Sequence, residues 1–223
     1  MPTSTVEDYL KCIYLEEKAA GGALVPTGQV ASALKVAPGT ATSMVKALAD
    51  SGLVAYEPYA GVKLTAAGER LATHVLRRHR LVELFLVKVM GLNWSEVHAE
   101  AEVLEHAVSD RIIDRMDEIL GRPSADPHGD PIPTAELELT ERTEHPSLAV
   151  CEVGPVYDVM RVTDQRTDFL LLLERHGVMP GCKLAVVSRD DLGETVEVRP
   201  VGGEAFRLGY RAASRVLVEL RQA

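Results

Sequence analysis

Histidine and carboxylate side chains crowd one short stretch of this chain. HAEAEVLEH, from His98 to His106, holds two histidines and three glutamates. On a helix, His98, Glu102, Glu105 and His106 stand at i, i+4, i+7 and i+8 and share one face. In the helical segment before it, His79 and Glu83 are also four apart. Any one of these residues alone reads as solvated surface or a satisfied core group. Six imidazole and carboxylate donors on two successive helices read as a divalent-metal site. The set contains no thiolate. Mixed nitrogen and oxygen donors with five or six ligands suit Mn²⁺ or Fe²⁺, whereas structural zinc prefers four ligands, commonly with cysteine. Raw affinity still favours Zn²⁺ or Ni²⁺ over Mn²⁺, so selectivity has to come from geometry and metal supply. Val103, Leu104 and Val108 alternate with these donors and set the ligand face beside a packed face.

Several elements must position these donors. Tyr9, Leu10, Ile13 and Tyr14 recur at helical spacing over Val6 to Ala19, and Gly21 and Gly22 end that helix. PTGQVASALKV predicts a short second helix with Val30 and Leu34 inward. APGTATSMVKALADSG predicts a third, with Pro38 at its start, Met44, Val45 and Leu48 inward, and Gly52 at its stop. LVAYEPYAGVKLT predicts two strands around a turn at Tyr59, Ala60 and Gly61. Three helices and a hairpin make a winged helix-turn-helix, a DNA-binding arrangement whose recognition helix sets its first residues against base edges. The candidate DNA-contacting residues are Thr27, Pro38, Gly39, Thr40, Thr42, Ser43, Lys46 and Lys63, the two lysines being placed for phosphates. The plainer alternative is that the hydroxyls only cap the helix and the lysines are solvated.

Thr65 predicts the cap of a long helix ended by Gly91. Asn93 with Glu96 resembles a capping box for one further helix, roughly 94–120, stopped by Gly121. RPSADPHGDPIP is loop, and a linker is expected at 140–147. Beyond it LAVCEV, YDVMRV, CKLAVV, TVEVR and RVLVEL are β-rich runs with one helix near 167–176, the pattern of a small β-barrel. The expected fold class is α+β: a winged helix-turn-helix over 1–73, a helical metal-binding and dimerisation domain over 74–140, and an SH3-like barrel over 147–223.

Net charge is −9 over 223 residues, which by itself speaks against nucleic acid. The charge is unevenly spread. Residues 1–78 carry eight Lys/Arg and seven Asp/Glu, and the acidity lies beyond them. A near-neutral segment binds DNA if its basic groups share one face. Three well-separated cysteines, Cys12, Cys151 and Cys182, fit neither a disulfide framework nor a CxxC site and suit a reducing cytoplasm. No apolar run approaches the roughly 20 residues of a membrane span, and no secretion signal is read at the N-terminus. No P-loop, GxGxxG or Ser-His-Asp pattern stands out.

EDYLKCIYLEE, RRHRLVELFL, VHAEAEVLEHAVSD and DPHGDPIP together resemble the diphtheria-toxin-repressor family of metal-dependent transcription regulators, across the whole chain. The resemblance is to the manganese-sensing branch. The iron-sensing branch carries Met and Cys where this chain has Asp8 and Glu102. It implies a primary site of Asp8, His79, Glu102, Glu105 and His106. It implies a second site of Glu83 with His98, or of Glu83, Asp126 and His128, with a third-domain ligand from DQRTDF: Asp168 first, Gln165 second. Short manganese regulators carry a glutamate where this chain has Lys11. A cation there opposes a second ion beside the first, so two separated sites are expected. The implied function is a homodimeric, manganese-responsive repressor of metal-uptake genes that binds a palindromic operator in duplex DNA. Mn²⁺ is the expected metal, with Fe²⁺ the alternative and Zn²⁺, Cd²⁺ or Co²⁺ binding in vitro. Leu81, Leu84, Phe85 and Ile112 are the expected dimer contacts. The alternatives are an iron-responsive member of the family and, from a different class, a carboxylate-bridged metalloenzyme, since Glu102-x-x-Glu105-His106 contains elements of such centres.

Overall fold

A computed structural model of the chain describes residues 3–138 and 144–221. Helix α1 (Ser4–Ala19) begins where the Thr3 hydroxyl accepts the Val6 N–H, and it buries Leu10 and Ile13 completely. Helices α2 (Thr27–Ala33) and α3 (Pro38–Asp50) follow, with Pro38 in the first turn of α3, where its missing N–H costs nothing. Val30 and Ala31 of α2 are buried, as are Ala41, Val45 and Leu48 of α3. Strands β1 (Val54–Glu57) and β2 (Gly61–Leu64) form the antiparallel wing, paired from Val54 with Leu64 to Glu57 with Gly61. Val25 exchanges two 2.9 Å backbone hydrogen bonds with Val62, fixing the wing to the helices. Helix α4 (Ala66–Lys88) is capped by Thr65, whose Oγ1 accepts the Gly68 N–H at 3.2 Å.

Two compact units divide the chain. One takes the residues up to His79 with Glu105–Val108 and Pro133–Glu138. The other takes Arg80–Leu104, Ser109–Ile132 and the C-terminal segment.

The single helix expected over 94–120 is two: α5 (Val97–Ala107) and α6 (Asp110–Ile119). Ser109 is extended (φ −73°, ψ 154°) and Asp110 opens the next first turn. Ser-Asp is helix-start chemistry, and it interrupts the apolar periodicity that would otherwise run through. The capping box at Asn93 is also corrected. Its Oδ1 accepts the Ser95 N–H at 2.8 Å and closes a turn, and the helix starts only at Val97. On α5 the buried positions are Val97, Ala101 and Glu105, while Val103, expected on the packed side, is 69% exposed.

The C-terminal segment forms β3 (Val156–Val162), α7 (Thr167–Arg175), β4 (Lys183–Asp190), β5 (Thr195–Pro200), β6 (Phe206–Gly209), α8 (Tyr210–Ala213) and β7 (Val216–Leu220). The sheet order is β6-β5-β4-β3-β7, antiparallel throughout. Alternate residues such as Leu184, Val186, Val196 and Val198 face a core closed by Leu170 and Leu173 of α7, and Trp94 joins that core. LAVCEV is not a strand: Leu148 is buried in a turn, and only Ser147 bridges to Leu217. Strand β6, four residues long, is too short to show a period. The linker expected at 140–147 lies partly outside the described residues.

Leu81 and Leu84 are buried within the single chain, so they are core and not dimer contacts; Phe85 is half-buried, and Ile112 is exposed.

The loop before Pro131 is seated on β3. The Val162 N–H donates to the His128 carbonyl at 2.8 Å, and Asp130 pairs with Arg161 at 2.5 Å. Gly129 has φ +87°, and a Cβ there would collide with the Met160 carbonyl oxygen. Gly129→Ala is therefore expected to lose about 1–3 kcal/mol of stability, read by denaturant unfolding, with faster amide exchange at Val162. Stability within about 0.5 kcal/mol of the parent, the range of an ordinary surface change, would show that the close approach is not needed.

Candidate metal centres

The first unit gathers donors from α1, α4 and the end of α5. Glu105 is completely buried. A buried carboxylate must be partnered, and both of its oxygens are. Oε1 accepts from Lys11 Nζ at 2.6 Å, and Oε2 meets His79 Nδ1. Arg78 fixes the backbone beneath, donating from Nε to the Glu105 carbonyl at 2.7 Å and from Nη2 to that of Val108. These carbonyls end α5, where a guanidinium also meets the negative end of the helix dipole.

His106 stands beside it with both ring nitrogens facing carboxylates. Nδ1 is 2.6 Å from Glu7 Oε2. Nε2 is 2.8 Å from Asp8 Oδ1 and 3.3 Å from Glu105 Oε1. Partial burial opposes charge on the ring, but the hydrogen bond to Glu7 and the charges of Glu105 and Asp8 outweigh it, and the His106 pKa is raised. Ligand atoms of Asp8, Glu105 and His106 lie within 4.8 Å of one another. Sequence reasoning missed Glu7. Its only signal is adjacency to Asp8, which helical spacing does not weigh.

The second unit gathers Glu83, Asp126 and His128, all buried, again with ligand atoms within 4.8 Å. Its geometry offers a direct test of fit. His128 Nε2 lies 2.9 Å from the Trp94 carbonyl, an acceptor, so Nε2 carries the proton. Nδ1 is then a bare lone pair, buried without a hydrogen-bond partner, 3.9 Å from Glu83 Oε2. An imidazole held in one tautomer by a backbone carbonyl, its other nitrogen aimed at carboxylates, is the arrangement of a metal ligand. Asp126 Oδ1 accepts the N–H groups of His128 and Asp130 at 2.8 and 2.9 Å, which shapes the loop. Burial, with the charges of Asp130 and Glu83, pushes the Asp126 pKa up to about 8 against the pull of Arg80.

The remaining candidates divide. His98 Nδ1 is 3.2 Å from Glu83 Oε1 and its Nε2 is 3.6 Å from Glu102, so His98 meets the second cluster from its exposed side. Asp168 is not brought to either cluster. Its side chain is 76% exposed and lies 3.9 Å from Arg166, because Asp168 sits in the first turn of α7, where its Oδ1 accepts the Phe169 N–H. Gln165 is the residue of that loop that reaches back, donating to Asp130 Oδ2 at 2.9 Å. On the winged helix, Pro38, Gly39, Thr40, Ser43 and Lys46 are exposed, and Thr27 and Thr42 are half-buried. The hydroxyls of Thr42 and Ser43 donate to the Pro38 and Gly39 carbonyls, both at 2.9 Å. Lys63 donates to the Gly22 carbonyl at 3.0 Å and lies 3.6 Å from Glu17, so it braces the wing.

Three family models match in succession. The iron-dependent repressor N-terminal DNA-binding domain matches residues 1–62, and the iron-dependent repressor metal-binding and dimerisation domain matches 65–134. The FeoA domain matches 147–220. The iron-dependent repressor IdeR of Mycobacterium leprae is 32% identical over 232 aligned positions, covering 96% of each chain. The chain belongs to the iron-dependent repressor family. A solved structure described as a manganese-dependent transcriptional repressor in complex with manganese superposes with TM-score 0.83 at 37% identity, covering 97% of this chain and 100% of that one. ScaR with bound Cd²⁺ gives TM-score 0.77 at 33% identity, covering 99% of this chain and 100% of that one. MntR of Shouchella clausii is 37% identical over 120 residues, 54% of this chain and 82% of that protein. This family is the diphtheria-toxin-repressor family that the sequence motifs resemble. Its members are metal-dependent transcriptional repressors, and the matched domains make this chain a homodimeric binder of duplex DNA, not an enzyme. The metalloenzyme alternative falls with that. No helix among the described residues is long and apolar enough to cross a membrane.

Two pH effects follow. An aspartate raised from 3.8 to about 8 favours the fold at acidic pH, and that contribution is lost as pH climbs through this window. The raised His106 pKa gives stability that is present below 6.5 and lost as pH rises through its folded value. Metal ligation requires both groups deprotonated, so affinity should move the opposite way. The chain has one tryptophan, Trp94, whose ring centroid stacks 5.5 Å from that of His128. Mn²⁺ at the second cluster is expected to quench its fluorescence, with affinity falling up to about tenfold per pH unit below 8. Asp126→Asn should weaken that response while leaving the stacked rings in place. Quenching indifferent to Asp126→Asn and to Glu83→Gln would remove the second cluster as a metal site.

Proposed function

We propose that this family member is a manganese-responsive repressor of metal-uptake genes, acting in the cytoplasm as a homodimer on a palindromic operator. The observation that carries the proposal is the donor chemistry. Both clusters offer carboxylate oxygen and imidazole nitrogen, and among the described residues neither includes a cysteine. Hard donors of this kind suit Mn²⁺. The high similarity to a repressor solved with manganese points the same way. The same donors accept Fe²⁺, and the full-length likeness to IdeR keeps an iron-responsive regulator as the second reading. Zn²⁺, Cd²⁺ and Co²⁺ are expected to bind in vitro.

In this reading Asp8, His79, Glu105 and His106 hold the primary ion, with Glu102 added as the family resemblance implies. Glu83, Asp126 and His128 hold the second, with His98 at its exposed edge. A bound ion supplies the positive charge that Glu7, Asp8 and Glu105 otherwise draw from Lys11 and from a proton on His106. The chain does the rest. Asp8 ties α1 to His106 and Glu105, and α1 in turn carries the helices that present Thr40, Ser43 and Lys46 to DNA. The division of labour is the winged helix over 1–73, the helical metal-binding and dimerisation region over 74–140, and the SH3-like region over 147–223. DNA must then tighten metal binding by the factor by which metal tightens DNA binding.

Selection of bound duplexes from a random pool tests this, run with Mn²⁺, with Fe²⁺ under anaerobic conditions, and with chelator. A palindrome enriched with Mn²⁺ and absent in chelator is the expected result, and stronger enrichment with Fe²⁺ would favour the second reading. Enrichment of the same palindrome in chelator would take the metal out of the switch. Asp8→Ala is expected to lower metal-activated operator affinity at least about tenfold, since removing one ligand or its close support costs 10–100-fold, and to leave a folded dimer.

A further inference from the structure

Lys11 stands where a ligand site would not be expected to hold a cation. It lies on α1, three residues after Asp8, and is buried. Its Nζ is 2.6 Å from Glu105 Oε1, and Glu105 is completely buried. That same oxygen is 3.3 Å from His106 Nε2, and His106 Nε2 is 2.8 Å from Asp8. The oxygen that the ammonium holds is therefore the one that faces the other two donors of the cluster. The second oxygen of Glu105 is turned to His79.

We infer that Lys11 is an internal competitor for the metal: it neutralises Glu105 when no ion is bound and has to yield Oε1 when one enters, so it sets the metal concentration at which the protein responds. This rests on the reading of Asp8, Glu105 and His106 as a metal site. The physical case has two parts. A charge-assisted hydrogen bond to a buried carboxylate is strong and must be broken or shared for the oxygen to coordinate. A fixed positive charge next to the incoming ion also repels it in a poorly screened site. Both lower affinity. Both also protect the fold, because a buried carboxylate without a partner is costly.

The test is Mn²⁺ binding to the full chain, counting free ion by electron paramagnetic resonance, for the parent, Lys11→Gln, Lys11→Arg and Asp8→Ala. Trp94 fluorescence follows the second cluster in the same samples. Lys11→Gln is expected to bind Mn²⁺ about tenfold more tightly at the first cluster, the scale of one lost charge-assisted bond. Lys11→Arg, which keeps the cation, should stay near the parent. The Trp94 titration should not move. In chelator, Lys11→Gln should melt at a lower temperature than the parent. A residue that merely supports the site would give the opposite sign on substitution, weaker binding. Unchanged or weaker binding in Lys11→Gln, with the parent still binding at the first cluster, overturns the role of Lys11 alone. A parent whose binding is indifferent to Asp8→Ala overturns the site reading and this inference together. Should Lys11→Gln fail to fold, acetylation of Lys11 in the parent decides, read by mass spectrometry with chelator and with Mn²⁺. Release from Glu105 predicts a several-fold change in its rate, and an unchanged rate overturns the inference.

Discussion

One buried carboxylate organises the first unit. Glu105 has no exposed surface, and an ionised group in that position is tolerated only with partners that are charged or hydrogen-bonded. The partners come from far apart in sequence: Lys11 from α1, His79 and Arg78 from α4. Satisfying Glu105 therefore draws three helices to one point. Asp8 and Glu7 arrive with Lys11 because they share its helix, and His106 arrives because it follows Glu105. The gathering of carboxylate and imidazole donors and the packing of the helices are two results of the same constraint. It also explains why α5 buries Glu105 and leaves Val103 in solvent, against simple hydropathy.

The second unit solves the corresponding problem with a loop. His128 is completely buried on a segment of Pro, Asp and Gly, a composition that normally stays at the surface. It is held there by the Trp94 carbonyl and ring on one side and by β3 on the other. Gly129 allows the backbone to approach Met160, and Asp130 is anchored by Arg161 and Gln165. The small C-terminal sheet thus has a definite part in the centre: it gives the loop a wall to lie against. Arg161 of β3 and Gln165 of the loop after it support Asp130, and Asp168 is not brought to the cluster.

Much of this was legible in the sequence because it depends on local periodicity. The three helices and wing, the long α4 with its Thr65 cap, and the α7 helix all follow from spacing and punctuation. The donors on α4 and α5 follow from i, i+4 counting. What was not legible depends on tertiary choice. Ser109-Asp110 lies inside the stretch 94–120 expected as one helix, and the structure starts a second helix there. Leu81 and Leu84 carry no mark that separates a monomer core from a dimer contact. The pairing of Lys11 with Glu105 joins residues 94 positions apart, and no periodicity reports it. The resemblance puts Asp168 ahead of Gln165, but its place in the first turn of α7 turns its carboxylate to the Phe169 N–H.

The position of these groups along α1 has a consequence for how metal and DNA communicate. Asp8 and Lys11 sit near the start of the helix. Near its other end Glu17 accepts the Leu64 N–H of the wing at 3.1 Å and lies 3.6 Å from Lys63. Between them run nine helical steps, roughly 13 Å, with Leu10, Ile13 and Tyr14 packed throughout. A helix so packed moves as a rod, since close-packed interiors transmit displacement and do not absorb it. In the proposed mechanism, a change in what Asp8 and Lys11 hold reaches the wing strand without any intervening loop. The same rod lies beside the helix that precedes the recognition helix, where Gln29 of α2 donates to Glu16 at 2.5 Å. Coupling by this route requires only that α1 have two preferred positions, one with Glu105 held by Lys11 and one with that oxygen given up. On the proposed reading the ion pair and the metal site cannot share the oxygen on equal terms, and this competition is what would make the two positions distinct.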